Sequence, residues 1–386
     1  MQRIYLGSVV VRPIPEVPIG RTVLRVLEDD PERQFKCIRP YICHFLGLNL
    51  TVNGLAFQQQ DQAVGACATT ALWSALSRVC HVDGYRAPTP MAITEAAVRH
   101  LVFDGRLFPS TGLTVEQMYE ALRAFEFGPD VFLCRGHQHE FKTKLNIQLL
   151  RCYLDSGIPA VMTLEFDDGG WHAVTAVGYR ASVDHFRWHV GAGQSVDFGP
   201  TIDCLYINDD RLGPYARAGV AVGNDPDGLF QMELRIARPG RPDELPSVNQ
   251  VMLPLYSKLH MTAFQLFDVS VGGLWPLAAN RCGVTARDPE VNLRFAHSGE
   301  YLADLPRRVV GPVRASCFVR EASLSRYVGI TEYSLAGSPL LDAVWDTTDR
   351  IRETDEPPGL LGLVARDAAH AANVDALATE LGVVSG

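Results

Sequence analysis

The sequence predicts an α+β protein in which a helical subdomain packs on an antiparallel sheet and a smaller α+β unit follows toward the C-terminus. Three observations carry this. Between residues 67 and 207, segments of helical period come first and segments of strand period come after. The stretch Arg235 to Pro246 holds three prolines and a glycine among charges, which is linker chemistry. The 386 residues also exceed one ordinary core, so two domains, or one domain with a large appendage, are expected.

Taken in order, residues 1–50 read as a strand-rich extension. Period-two apolar patterns at 3–12, 22–27 and 49–57 are interrupted by Pro13, Pro15, Pro18 and Gly20. Residues 51–235 form the principal domain. Its first helix spans 67–79, because Ala68, Ala71, Leu72, Ala75, Leu76 and Val79 fall on one face with Thr70, Ser74 and Ser77 between them. Helices follow at 90–103, at 114–126 with Thr114 as its opening residue, and at 145–155. Past Gly157 and Pro159 come strands at 160–166, 173–179, 186–190 and 202–207. Residues 247–386 are expected to hold a helix near 249–267, a strand near 315–334 and a helix near 366–382.

A net charge of -9, from acids scattered along the chain, offers no basic stripe, so nucleic acid is set aside as a partner. No run approaches the ~18–20 apolar residues needed to span a bilayer, and the first dozen residues lack the apolar core of a secretory signal. The nine cysteines are odd in number, widely spaced and without a CxxC pair, which suggests free thiols in a reducing cytosol. Most of them read as small buried hydrophobes.

Cys67 is the exception. It stands where a loop enters a helix, after the small residues Gly65 and Ala66. Unpaired N–H groups and a positive dipole at a helix start favour thiolate, and the Cys67 N–H is placed to hold an oxyanion. Four upstream glutamines, Gln58, Gln59, Gln60 and Gln62, could supply the second oxyanion donor, with Gln60 favoured over Gln62. His172 follows the Gly169–Gly170 turn and heads a strand of small and branched residues, so its ring can leave the sheet edge as a general base. The apolar strand from Ile202 ends in Asn208, Asp209 and Asp210, any of which could orient the imidazole, depending on strand register.

Three motifs then stand in order: Gln60-x6-Cys67-Ala-x2-Ala-Leu-Trp, Gly169-Gly-Trp-His172-Ala-Val-x3-Gly-Tyr, and Ile207-Asn-Asp209-x3-Gly-Pro-Tyr. This order over residues 57–217 resembles the papain-like cysteine peptidases, in particular the bacteriocin-leader-processing branch and its stand-alone relatives. The resemblance implies a papain-like fold, Cys67, His172 and Asp209 as catalytic triad, Gln60 in the oxyanion hole, and no cofactor or metal. Two departures stand beside it: the usual glutamine position holds Asp61, and the residue after the cysteine is Ala68 rather than Gly.

No GxxxxGK[ST] motif is present, so a leader-processing transporter is not implied. The expected activity is that of a cytoplasmic, bacterial peptidase, isopeptidase or amidase acting on a peptide or protein, with a possible further protein partner for the C-terminal unit. The alternatives are a transglutaminase or acyltransferase using the same triad, and an inactive binding module. The histidines near Cys134 (His137 and His139) and the pair His185 and His189 read as structural.

Overall fold

The computed structural model describes every residue except 1, 16, 28–29, 61–65, 100–111, 192–193, 239, 286–287 and 349–358. The chain is α+β. It divides into two units: Met1–Ser182 with Ile202–Tyr256, and Val183–Thr201 with Ser257–Gly386. Among the described residues no helix is long and apolar enough to cross a membrane.

The first unit begins with two hairpins, β1 (Gly7–Val11) with β2 (Ile19–Leu24) and β4 (Arg39–Phe45) with β5 (Leu48–Gly54), and with the short β3 (Arg33–Gln34) between them. Then come α1 (Cys67–Val82), α2 (Pro90–Val98), α3 (Val115–Ala124), β6 (Gly128–Leu133) and α4 (Glu140–Asp155). The strands β7 (Ala160–Glu165), β8 (Trp171–Gly191), β9 (Gln194–Asp209), β10 (Gly213–Asn224), β11 (Phe230–Ile236) and β12 (Ser247–Leu255) complete it, with residues 183–201 of β8 and β9 belonging to the second unit. The sheet runs β9-β10-β11-β12-β7-β8-β3, antiparallel throughout, with β6 also on β12 and β8 also on β9. His172 lies opposite Leu164 of β7, and Asp209 opposite Gly213 of β10.

The second unit holds α5 (Ala263–Asp268), which runs through a π-helical segment at Val269–Leu274 into α6 (Trp275–Arg281). Next are β13 (Glu290–His297), α7 (Ser298–Arg308), α8 (Pro312–Glu321), β14 (Tyr327–Leu335), β15 (Ser338–Asp346), β16 (Leu360–Ala365), α9 (Ala371–Leu381) and β17 (Val384–Ser385). Its core packs Tyr301, Leu305 and Phe318 from α7 and α8 on Val328, Ile330, Val344 and Val364 of the sheet.

Several expectations are corrected. The helix at 67–79 has more than one buried face, since Thr70, Ser74 and Ser77 are buried too. Serine tolerates burial here because its hydroxyl is bonded: Ser74 Oγ donates to Ala56 O at 2.8 Å and Ser77 Oγ to Ser74 O at 2.8 Å. The end of the helix expected at 90–103 lies outside the described residues. Arg235 to Pro246 is no interdomain linker; it joins β11 to β12, and Ile236 and Glu244 pair across it. The unit boundary falls after Tyr256 instead. The predicted helix near 249–267 is β12 at its start, because Val248, Val251, Met252, Leu253 and Leu255 are buried in a strand with sheet neighbours on both sides. Only Ala263–Asp268 is α-helical there, opened by a Thr262–Gln265 capping box. The strand near 315–334 begins as α8, with Pro312 in its first turn and Ala315 and Phe318 turned to the core, three residues apart. Nor are residues 1–50 a separate extension: β5 crosses that limit, and Arg12 Nη2 donates to Gln59 O at 3.0 Å.

One glycine on the strand that carries His172 is sterically required. A Cβ on Gly178 would stand 2.4 Å from Gln34 O and 2.7 Å from a Phe35 ring carbon, so β3 and β8 could not keep their pairing. Gly178→Ala is therefore expected to destabilise the protein by about 1–3 kcal/mol. Urea denaturation measures this, and an unchanged midpoint contradicts it.

Candidate active site

Cys67 is the first residue of α1. The preceding Ala66 supplies no side-chain cap and the first turn holds no acid, so the thiol sits among uncapped helix-start N–H groups. The helix start is tied to the strands behind it. Thr175 Oγ1 donates to Ala71 O at 2.8 Å, and Asn208 Nδ2 donates to Ser74 Oγ at 2.9 Å. These bonds bring Cys67, on α1, beside β8 and the end of β9. Cys67, Ser74, Thr175, Asn208 and Asp210 share one recess with room for about one water molecule.

His172 is the second residue of β8 and is buried. Its Nε2 lies 3.0 Å from Asp209 Oδ1 and 3.2 Å from Asp210 Oδ1. Both carboxylates thus meet Nε2, and Nδ1 faces away from them. Cys67 stands near enough to the ring to help hold its proton. Burial by itself works against the ring's charge. The hydrogen bond to Asp209, the nearby Cys67 and the two carboxylate charges outweigh it and push the ring up to about 9.

Asp209 has a fully buried side chain. Its Oδ1 accepts the Arg211 backbone N–H at 2.9 Å and its Oδ2 accepts Arg211 Nη2 at 3.0 Å. Burial alone would raise the carboxyl. The bond and charge of His172, joined by those of Arg211, instead hold it well below the usual carboxylate range. Arg211 Nη2 is also 3.2 Å from Glu244 Oε2, Arg238 pairs with the same glutamate, and the Arg211 guanidinium lies 5.0 Å over the Phe166 ring.

Asp210 is buried with no hydrogen bond to either oxygen, its one close ionic contact among the described residues being the His172 ring. Burial raises its pKa, and repulsion from Asp209 adds to that against the attraction of His172. Asn208 points elsewhere. Besides its bond to Ser74, its Oδ1 accepts the Tyr215 N–H at 3.2 Å. Tyr215 sits in the left-handed region at φ 60°, after a bulge that opens at Gly213. Its hydroxyl donates to Leu24 O and accepts the Leu55 N–H, which accounts for the Gly-Pro-Tyr sequence after the acid.

Of the remaining expected residues, Gln60 lies beside the helix start, where its Oε1 accepts the Ala66 N–H at 2.8 Å. Gln59 is spent on the Ile19 N–H, and Gln62 lies outside the described residues. His137 Nε2 meets Leu133 O and the Asn146 amide, and His185 Nδ1 meets Asp197. Arg211, Arg238 and Glu244 were missed by sequence reasoning. Adjacency of Arg211 to the two aspartates was the available signal, whereas Glu244 was hidden in a supposed linker.

The donor atoms of His172, Asp209 and Asp210 lie within 4.8 Å of one another, a spacing that a metal ion could also use. Here both carboxylates converge on a single ring nitrogen and a guanidinium already bridges Asp209, an arrangement that suits a protonated ring better than a second cation. Compared with protein-family models and with curated proteins, the chain returns no match.

Arg211→Gln removes a charged partner from a buried carboxylate and is expected to cost about 1–3 kcal/mol near neutrality. Asp209 is depressed in the folded state, so its contribution is present above the ordinary value of 3.8 and is lost as pH falls through and below it. The difference between wild type and variant in urea should accordingly shrink toward acid pH. A gap that is absent at neutral pH, or that widens in acid, contradicts the assignment.

Proposed function

We propose that the first unit is a papain-like cysteine hydrolase acting on a peptide, isopeptide or glutamine-type amide. The observation that carries this is one buried imidazole held by an Arg-braced carboxylate, with a helix-start thiol near enough to act on the ring's charge. The order of cysteine on a helix, histidine on a strand and aspartate at the end of the next strand supports the same reading.

In this reading His172 takes the Cys67 thiol proton and the sulfur attacks the substrate carbonyl carbon. The resulting oxyanion is met by the Cys67 N–H and by the NH2 group of Gln60, whose carbonyl end is anchored on Ala66. His172 then gives its proton to the leaving amine as the C–N bond breaks, leaving a thioester. Water, deprotonated by His172, attacks the thioester carbonyl, and the C–S bond breaks to return the thiolate. Asp209 holds the ring in one tautomer and balances its charge at each step.

The other cysteines lack this setting. Six are buried, and burial pushes Cys80 up to about 11 and Cys134 up to about 12. Cys43 and Cys317 are partly exposed like Cys67, and the Cys317 thiol accepts from Arg320 at 3.9 Å. Iodoacetamide labelling across pH, read by peptide mapping, should find Cys67 the fastest of the nine at pH 6–7. His172→Ala should cut that rate at least ~10-fold while leaving Cys43 and Cys317 unchanged. A Cys67 rate no higher than that of Cys43, or one indifferent to His172, sinks the proposal.

A further inference from the structure

The three motifs leave one buried ionisable group of the site without a task. Asp210 is about nine-tenths buried, neither carboxylate oxygen has a hydrogen bond, and one of them stands 3.2 Å from the ring nitrogen that Asp209 already holds at 3.0 Å. A single N–H makes one good hydrogen bond, so the second carboxylate acts on the ring chiefly through its charge. The two acids also differ in their surroundings. Asp209 shares its charge with Arg211, whereas Asp210 has His172 as its only ion-pair partner among the described residues.

We propose that Asp210 is a positioning residue acting through His172: a second counter-ion on Nε2 that keeps the imidazolium charged at pH values where Asp209, half-neutralised by Arg211, would release the proton. The groups that face the ring are Cys67 from α1, Asp209 and Asp210 at the end of β9, and Arg211 just beyond it. Asp210 is the carboxylate among them that no hydrogen bond holds, with only the more distant Arg211 charge besides the ring to oppose its own. An uncharged packing role would be served equally by asparagine, which has the same shape. A carboxylate buried without hydrogen bonds is tolerable only when a cation stands against it. Burial and repulsion from Asp209 both favour its neutral form, so Asp210 should take up a proton at a higher pH than its neighbour. Below that pH the ring is left with one counter-ion.

The inference deepens the hydrolase reading and rests on it only in taking His172 as the base of Cys67. Its test is a titration of the His172 ring nitrogens by 15N NMR in the full-length protein, with assignment by His172→Gln. In Asp210→Asn the ring should lose its proton about one pH unit lower than in wild type, and Asp210→Glu should restore most of that shift. Wild type alone supplies a second readout that needs no variant to fold. Its ring nitrogens should move in two steps, a small acid-side step as Asp210 takes up a proton and a large alkaline one as the ring loses its own. An Asp210→Asn midpoint equal to wild type, or a wild-type curve with a single step, overturns the proposal. Because the nitrogens are read directly, an unreactive Cys67 would defeat the hydrolase reading while leaving this titration to be judged by itself.

Discussion

The hydrogen bond between His172 and Asp209 is the constraint on which the rest of the site depends. Both groups are buried, and a buried carboxylate stands only if its charge is met. Arg211 meets it, from the next turn of chain, and Glu244 and Arg238 in turn hold Arg211. The loop between β11 and β12 thus serves the chemistry of a residue in another hairpin. Packing enforces the same geometry from the opposite side. Asn208 and Thr175 draw α1 onto the strands, so the thiol at its first residue lines the same recess as Asp210.

The surroundings also separate three neighbouring residues of similar chemistry. Asn208, Asp209 and Asp210 are consecutive, yet one bonds the helix and the Tyr215 backbone, one orients the ring, and one stands unbonded in the recess. Strand alternation does not explain this by itself, because Asp210 already lies past the end of β9. It sits inside the turn that the Leu212 N–H closes on Asp209 O at 3.0 Å, and from there its carboxylate reaches His172. A pair of carboxylates on one imidazole, with one braced by a guanidinium and one not, has two ways of titrating rather than one.

Much of this is legible in the sequence. The α+β class, α1, α3 and α9, and the strands leading to His172 and Asp209 follow from apolar period, capping residues and glycine turns. So does the meeting of His172 and Asp209. The second half was read poorly, for definite reasons. The run Val251-Met-Leu-Pro-Leu255 is apolar on both faces, and a strand buried on both faces has no period to distinguish it from a helix. Arg235 to Pro246 has a linker's composition but is clamped by pairing of Ile236 with Glu244. Arg211's service to Asp209 was invisible because an exposed-looking arginine after a turn is ordinarily solvated. Asp210 was legible as an alternative to Asp209, but sequence could not reveal that both reach the same nitrogen.

The central claim is that Cys67 accepts an acyl group with His172 as its base. The most direct measurement is incubation of the full chain with p-nitrophenyl acetate at neutral pH, followed by rapid acid quench and peptide mapping. The account predicts a hydroxylamine-labile acetyl group on Cys67 that forms within the first turnover, disappears as water releases it, and is strongly reduced in His172→Ala. Acetyl found only on lysines, or on Cys67 at the same rate with and without His172, would contradict it.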